Sequence, residues 1–156
     1  MEPGEIGMRV LKSRAVVSSF IFYFMFFFIF LLGGVSVSNA NQEVIKEISK
    51  CPKSPNCVST LVDSKRHKMA PWAAASPDVM KKIKAAALKE PRSKLISESD
   101  THLQFTFKSF VFRFVDDVWI ALKDGKVHFK SAARTGYRDF DKNKERMERI
   151  QARVYN

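Results

Sequence analysis

The chain has 156 residues and a formal net charge of +11, with an isoelectric point near 9.8. Charged residues make up 28% and hydrophobic residues 46%, and these shares exclude a chain that is disordered by composition. The positive excess favours an acidic partner such as lipid headgroups, acidic polysaccharides or nucleic acid, although a generally solvated basic surface explains the same charge.

A long apolar run lies near the N-terminus. VVSSFIFYFMFFFIFLL (Val16–Leu32) carries no charge. The basic residues that precede it are Arg9, Lys12 and Arg14. A basic region followed by an apolar run of this length is typical of a signal peptide or of a membrane anchor. We therefore expect a hydrophobic N-terminal helix.

The two interpretations of this leader differ in whether it is cleaved, but they agree on where the following domain lies. Ser38 and Ala40 are small residues placed as a signal peptidase requires, so cleavage after Ala40 is one alternative and a retained anchor is the other. Both readings divide the chain into a leader, residues 1–40, and a single exported domain, residues 41–156. They place that domain outside the cytoplasm, at the cell envelope, in a periplasmic or inner-membrane-anchored form.

The two cysteines, Cys51 and Cys57, lie in CPKSPNCVST. In an exported chain, two cysteines that close a short loop favour a disulfide, and the two prolines between them stiffen that loop. Zinc and redox chemistry are weaker alternatives, because five residues separate the cysteines and no second ligand pair accompanies them.

Residues 58–75 have no clear periodicity and are predicted to be irregular. A helix follows, with Ser76 as its N-cap and Pro77 at its first position, and Pro91 ends it. Its predicted buried face consists of Val79, Met80, Ile83, Ala86 and Ala87. Its exposed face carries Lys81, Lys82, Lys84 and Lys89.

The pattern then changes to a period of two, which indicates strands. HLQFTFK alternates apolar and polar residues, SKLIS before it predicts a short strand, and FVFRFVDDVWIALK after it predicts a long one. Asp124-Gly125 is a hairpin-turn signal. Pairing across this turn sets Leu122 opposite Val127 and Ile120 opposite Phe129.

A last helix is predicted to begin near Asp139 or Asp141, with a narrow apolar stripe and a basic remainder. The stripe consists of Met147, Ile150 and Val154. The basic residues on the remaining surface of the helix are Arg146, Arg149 and Arg153. The predicted fold is α+β, with an antiparallel sheet of about four strands packed against an N-terminal and a C-terminal helix, preceded by the hydrophobic N-terminal helix.

Three stretches together resemble one family, the bacterial and plastid proteins called domain of unknown function 1499. They are CPKSPNCVST, FRFVDDV (Phe112–Val118) and SAARTGYRDFDKNKERMERI (Ser131–Ile150). The likeness covers roughly residues 50–152, essentially the whole exported part. It implies a shared fold and an envelope or organellar location, but no reaction.

The candidate binding residues are polar residues of these stretches. They are Arg113, Asp116, Asp117, Arg134, Asp139 and Asn143. Asp116 and Asp117 are adjacent, so on a strand they point to opposite faces, and one is expected to pair with Arg113 or Arg134. An Asp116–Arg134 binding cluster and an anion site at the start of the last helix are the functional alternatives. No catalytic motif, metal-ligand spacing or cofactor motif is present, so no catalytic, metal or cofactor site is predicted.

The leading hypothesis is a non-enzymatic envelope module that binds an anionic partner, lipid headgroups first, through two basic helix faces. Those faces carry Lys81, Lys82, Arg146, Arg149 and Arg153. Nucleic acid is disfavoured by the location. One alternative is a small-ligand carrier or enzyme with a pocket between sheet and helices, lined by Phe105, Phe107, Phe112 or Trp119. Another is a structural component of an envelope complex, bound to an envelope protein.

Overall fold

A computed structural model describes residues 35–156, so the predicted hydrophobic N-terminal helix lies outside the described residues. This part of the chain contains three helices and six strands. The helices are α1 (Val35–Ile48), α2 (Val79–Leu88) and α3 (Lys142–Tyr155). The strands are β1 (Cys57–Ser59), β2 (Trp72–Ala73), β3 (Ser93–Glu98), β4 (His102–Lys108), β5 (Val115–Lys123) and β6 (Lys126–Ala133). Among residues 35–156, no helix combines the length and apolarity that crossing a bilayer requires.

All strands pair antiparallel, in the order β1-β6-β5-β4-β3, and β2 pairs with another part of β6. The predicted α+β class is confirmed, and so is the hairpin register: Leu122 lies opposite Val127 and Ile120 opposite Phe129. Asp124 and Gly125 both have positive φ angles, 50° and 69°, as this two-residue turn requires.

The predicted number of strands is wrong, because residues 58–75 are not wholly irregular. Val58 and Ser59 belong to β1, and Trp72 and Ala73 form β2. Segments of two or three residues are too short to show a period, so only their partner β6 reveals them. β2 nevertheless matters to the core, since it places Trp72 against Phe129 with their ring centroids 4.7 Å apart.

The core lies between one face of the sheet and the helices α2 and α3. The five residues predicted for the buried face of α2 are all buried, and Met147 and Ile150 of α3 are fully buried. Opposite them, Phe105 and Phe129 are fully buried on the sheet. The apolar core cluster of the described residues falls entirely within the compact unit Ala40–Asn156, which therefore carries its own hydrophobic core.

Two predicted boundaries shift. The N-cap of α2 is Asp78 rather than Ser76. The long strand begins at Val115 and not at Phe110, because Lys108 and Val115 form the last cross-strand pair of β4 and β5. The six residues between them connect the two strands and have no strand opposite them.

Helix α1 was not predicted, and Ala40, the predicted cleavage position, lies inside it. Its end is held against the sheet. Ile48 is fully buried and its carbonyl accepts a hydrogen bond from the Ser59 hydroxyl at 2.5 Å. The Lys130 ammonium donates to Glu47 at 2.8 Å, and this hydrogen bond lowers the pKa of the Glu47 carboxyl.

Of the three arginines predicted for the basic face of α3, Arg149 and Arg153 are exposed and Arg146 is buried. Arg146 is only 9% exposed, because it points to the sheet. Arg149 and Arg153 both donate to Glu90, a buried carboxylate just after α2, and the Arg149 contact measures 2.8 Å. Burial raises the pKa of Glu90, but the two arginines outweigh it and leave the pKa below its usual value. Glu90 thus ties α2 to α3.

Replacing Glu90 by Gln is expected to lower the free energy of unfolding by about 1–3 kcal/mol at neutral pH, because two charge-assisted contacts lose their anion. A lowered folded-state pKa stabilises the fold above the ordinary glutamate pKa, and this stabilisation is lost as the pH falls through the lowered value. Denaturant unfolding of wild type and E90Q at neutral and acidic pH should therefore give curves that converge in acid.

The matched control is Glu148→Gln, which removes an exposed carboxylate 3.9 Å from Lys144 on the same helix. Its expected cost is at most about 0.5 kcal/mol at any pH. An E90Q difference that stays constant between neutral and acidic pH would contradict the assignment.

Candidate functional site

Polar residues of the three motif stretches meet around Asn143, which is fully buried at the start of α3. Its side-chain oxygen accepts from the Ser131 hydroxyl at 2.5 Å and from Arg146 at 2.8 Å. Its amide nitrogen donates to the Asp139 carboxylate at 2.7 Å and to the Asn56 carbonyl at 3.2 Å. All four hydrogen-bonding positions of the side chain are used. We call these five residues the Asn143 network.

The cysteine loop supplies Asn56 to this network. Cys51 and Cys57 lie at disulfide distance, as the sequence predicts, with their sulfur atoms 1.98 Å apart. Buried Asn56 accepts from the backbone N–H of Ala133 at 2.9 Å and donates its side-chain amide to the carbonyl of Gly136 at 2.5 Å. Gly136 has a φ of +88°, a backbone conformation that glycine adopts without steric cost. The cysteine loop therefore supports the β6–α3 loop, residues 134–141.

Asp116 and Asp117 lie on opposite faces of β5, so they do not form a carboxylate pair. Asp116 accepts from Arg146 at 2.5 Å, and the Arg146 guanidinium lies 4.7 Å from the centre of the Phe107 ring. Burial raises the pKa of Asp116 despite Arg146, and the charges of Asp139 and Asp117 add to the rise.

Arg134 lies on the other face, where it makes a two-pronged contact to Asp117 at 2.7 and 2.8 Å. This contact raises the pKa of Arg134. One of the two aspartates therefore pairs with Arg134, as expected, but the anticipated Asp116–Arg134 cluster is absent from the described residues. The two side chains are separated by the sheet.

Asp139 and not Asp141 closes the start of α3 through its side chain. Its carboxylate accepts from the backbone N–H of Asn143 at 3.0 Å as well as from the Asn143 amide. Asp141 has a left-handed backbone with a φ of 62° and its side chain makes no capping hydrogen bond. A carboxylate of the protein itself therefore occupies the helix start at which the sequence had allowed an anion site.

The β4–β5 loop, residues 109–114, is closed on itself. The backbone N–H of Ser109 donates to the carbonyl of Phe114 at 2.9 Å, and the N–H of Phe114 donates to the Ser109 hydroxyl at 2.8 Å. Arg113 takes a left-handed conformation, with a φ of 54°, and is exposed. The rings of Phe112 and Phe114 stack with centroids 5.6 Å apart. The hydrogen-bonded loop therefore holds its apolar side chains in a solvent-exposed position.

This loop and the β6–α3 loop together display large exposed apolar side chains. They are Phe110, Val111, Phe112, Phe114, Tyr137 and Phe140. Phe110, Phe112 and Phe140 are between 74% and 78% exposed. The cations beside them are Arg92, Lys108, Arg113 and Arg138. We call these ten residues the aromatic–basic surface.

A groove of about 510 Å³ lies between the two loops, and we call it the loop groove. Its phenylalanines are Phe107, Phe110, Phe112, Phe114 and Phe140. Its cations are Arg92, Lys108, Arg138, Lys142, Arg146 and Arg149. Its three carboxylates, Glu90, Asp116 and Asp139, already accept hydrogen bonds from protein groups. The remaining charge of the lining is positive.

The groove agrees only in part with the pocket that the sequence suggested. That pocket was expected between sheet and helices, where Phe105 is instead fully buried in the core. Phe107 and Phe112 do line the groove, whereas Trp119 lies on the other face of the sheet with the Lys130 ammonium 4.8 Å from the centre of its ring.

No group of three or more His, Cys, Asp or Glu residues in the described part of the chain is placed to hold a metal ion. His102 contacts the Ser99 hydroxyl at 2.7 Å, and His128 contacts the Thr60 hydroxyl at 3.2 Å. Burial, with help from Lys123 and Lys126, lowers the pKa of His128.

Residues 47–154 match the model of a family described as "Protein of unknown function (DUF1499)". The chain belongs to the DUF1499 family. The match confirms the resemblance drawn from the three motif stretches, and the structure adds that these stretches meet in this DUF1499 domain. No curated protein is significantly similar to the chain.

The sequence identified Asp116, Asp139 and Asn143 of the site and Phe112 as a lining residue, but it missed Asn56 and the other exposed aromatic side chains. Asn56 lies in a recognised motif, but only the fold shows its contacts to β6 and α3. For the aromatic residues a signal existed: Phe110–Phe114 had no matching apolar run with which to pair.

Replacing Asn143 by Asp keeps the shape of the side chain but removes its two donors. A carboxylate oxygen would then replace the amide nitrogen, which lies 2.7 Å from the Asp139 carboxylate and 3.2 Å from the Asn56 carbonyl. We expect a loss of about 2–4 kcal/mol in the free energy of unfolding at neutral pH, measured by denaturant titration.

The same substitution at exposed Asn156 is the control, with an expected change within about 0.5 kcal/mol. If N143D were as stable as the control, Asn143 would not organise the site.

Proposed function

We propose that this DUF1499 domain is a non-enzymatic module of the cell envelope that binds anionic membrane surfaces through its aromatic–basic surface. The observation that carries the proposal is the exposure of six large apolar side chains on two adjacent loops, beside four cations. The leader predicted from the sequence supports the envelope location, since it would deliver or tether the domain at a membrane.

The apolar part of the surface suits the interfacial region of a bilayer. Aromatic rings are enriched at the boundary between headgroups and acyl chains, where one part of a side chain is apolar and another is wet. Phe110, Val111 and Phe112 stand at the tip of a loop that is closed by its own hydrogen bonds, so insertion would order little additional backbone. Contiguous exposed apolar side chains of this kind mark interaction sites in soluble domains.

The charged part of the surface selects anionic lipids. Each basic residue held near an anionic membrane contributes about 1 kcal/mol to binding. In the described part of the chain, Arg92, Lys108, Arg113 and Arg138 form no salt bridge with a carboxylate. Their charge therefore remains for headgroups.

The helix faces first suggested for this role fit it less well. Arg146 is buried against Asp116, Arg149 and Arg153 pair with Glu90, and Lys82 lies 3.4 Å from Asp78. The Asn143 network argues for a non-enzymatic role, because its polar side chains satisfy one another. They hold the two loops in place.

Replacing both Phe112 and Phe140 by Ser in residues 40–156 should weaken binding to anionic vesicles at least about tenfold, because two inserted rings are lost. Co-sedimentation with vesicles of phosphatidylcholine and phosphatidylglycerol measures the change. Ile96→Ser is the matched control, since Ile96 is an exposed apolar residue of β3 that lies outside the surface. Its binding should equal that of the wild type.

Charge reversal separates the aromatic–basic surface from the lysine face of α2. The double variant Arg113→Glu, Arg138→Glu should lose about tenfold or more in vesicle affinity, whereas Lys81→Glu, Lys82→Glu should lose only a few-fold. Salt should weaken wild-type binding. Equal wild-type binding to neutral and anionic vesicles at low salt would overturn the proposal, and a larger effect of the lysine pair would move the site to α2.

A further inference from the structure

We propose that the loop groove holds one single-chain amphiphile with a carboxylate headgroup, of the fatty-acid class. The inference rests on the proposed membrane function and deepens it, because it assigns a ligand to the concave part of the same surface. A flat bilayer can contact the loop tips. The interior of the groove needs a molecule that enters it.

The walls and floor of the groove suit an acyl chain. The β4–β5 loop contributes Phe110, Phe112 and Phe114 to one wall, and Phe140 of the β6–α3 loop contributes to the other. Phe107, only 3% exposed, lies at the floor. A volume of about 510 Å³ falls within the range of small-ligand sites, which are mostly apolar with a few placed polar groups.

The charges of the lining select an anion over a cation. Six cations and three carboxylates line the groove, and each of the carboxylates is engaged by protein donors. Glu90 is held by two arginines, Asp116 by Arg146 and Asp139 by Asn143. Lys108 and Arg138 keep their charge for a ligand, so a carboxylate would gain a partner and an ammonium group would not.

The floor is held in place by the Asn143 network. The guanidinium of Arg146 lies over the Phe107 ring and at the same time contacts Asp116, Ser131 and Asn143. Ala133, opposite Asp116 on β6, is a small residue in the lining. A larger side chain at this position would fill the floor without changing any exposed phenylalanine.

Calorimetric titration of residues 40–156 with dodecanoate, below its micellar concentration, tests the ligand class. Dodecan-1-ol, which has the chain without the charge, and inorganic phosphate, which has charge without a chain, are the comparison probes. We expect dodecanoate to bind at least tenfold more tightly than the alcohol, and phosphate to give no heat. Equal binding of dodecanoate and dodecan-1-ol, or no binding of dodecanoate, would overturn the inference.

The variant Ala133→Leu should weaken dodecanoate binding at least tenfold and change vesicle binding less than twofold. Ala152→Leu, an exposed position of α3 outside the groove, is the control and should bind like the wild type. If Ala133→Leu does not give a cooperative melting transition, Thr135→Leu at an exposed lining position replaces it. Unchanged dodecanoate affinity in the folded variant would overturn the assignment to the groove.

The two proposals fail separately. Vesicle binding without dodecanoate binding would leave the membrane module and remove the groove ligand. Dodecanoate binding that is lost in the floor variant, without any vesicle binding, would make the domain a carrier of soluble amphiphiles and remove the membrane function.

Discussion

The structure depends on one buried side chain, the amide of Asn143, whose donors and acceptors are all hydrogen-bonded. It accepts two hydrogen bonds and donates two, and its partners come from the cysteine loop, from β6 and from the segment 139–146 around the start of α3. An amide is suited to this position because it offers donors and acceptors in equal number, whereas a carboxylate or an ammonium group offers only one kind. In a buried setting an unmet partner is costly, so the four contacts fix three chain segments relative to one another.

This arrangement divides the polar residues of the domain by task. The residues of the Asn143 network point inward and satisfy one another, and the loops they support carry apolar and cationic side chains outward, among them Arg113 and Arg138. Exposed phenylalanines lower solubility, and here a loop closed by its own hydrogen bonds holds them at its tip. Glu90 contributes in a similar manner from α2, since it neutralises arginines that would otherwise add to the outer charge. The buried contacts of the Asn143 network and of Glu90 therefore determine which side chains the two loops expose.

Regular periodicity made most of the fold predictable. The face of α2, the alternation in β4 and the turn at Asp124-Gly125 are local signals, and the register of β5 with β6 followed from that turn. The predictions that were wrong concern contacts between residues that are distant in the sequence. β1 and β2 exist only because β6 offers them an edge, and Phe110 looked like part of a strand although no partner strand reaches it. Arg146 looked exposed although it is buried against Asp116, and the sequence did not show that Arg149 and Arg153 pair with Glu90.

The cysteine bridge has a consequence for the timing of maturation. It closes the loop that presents Asn56, and Asn56 in turn supports the β6–α3 loop at Gly136. Bridges of this kind persist in oxidising compartments and are rare where thiols are kept reduced. A newly made chain with free thiols would lack the covalent brace behind Tyr137 and Phe140. Oxidation would therefore have to come before the β6–α3 loop is braced in its final position.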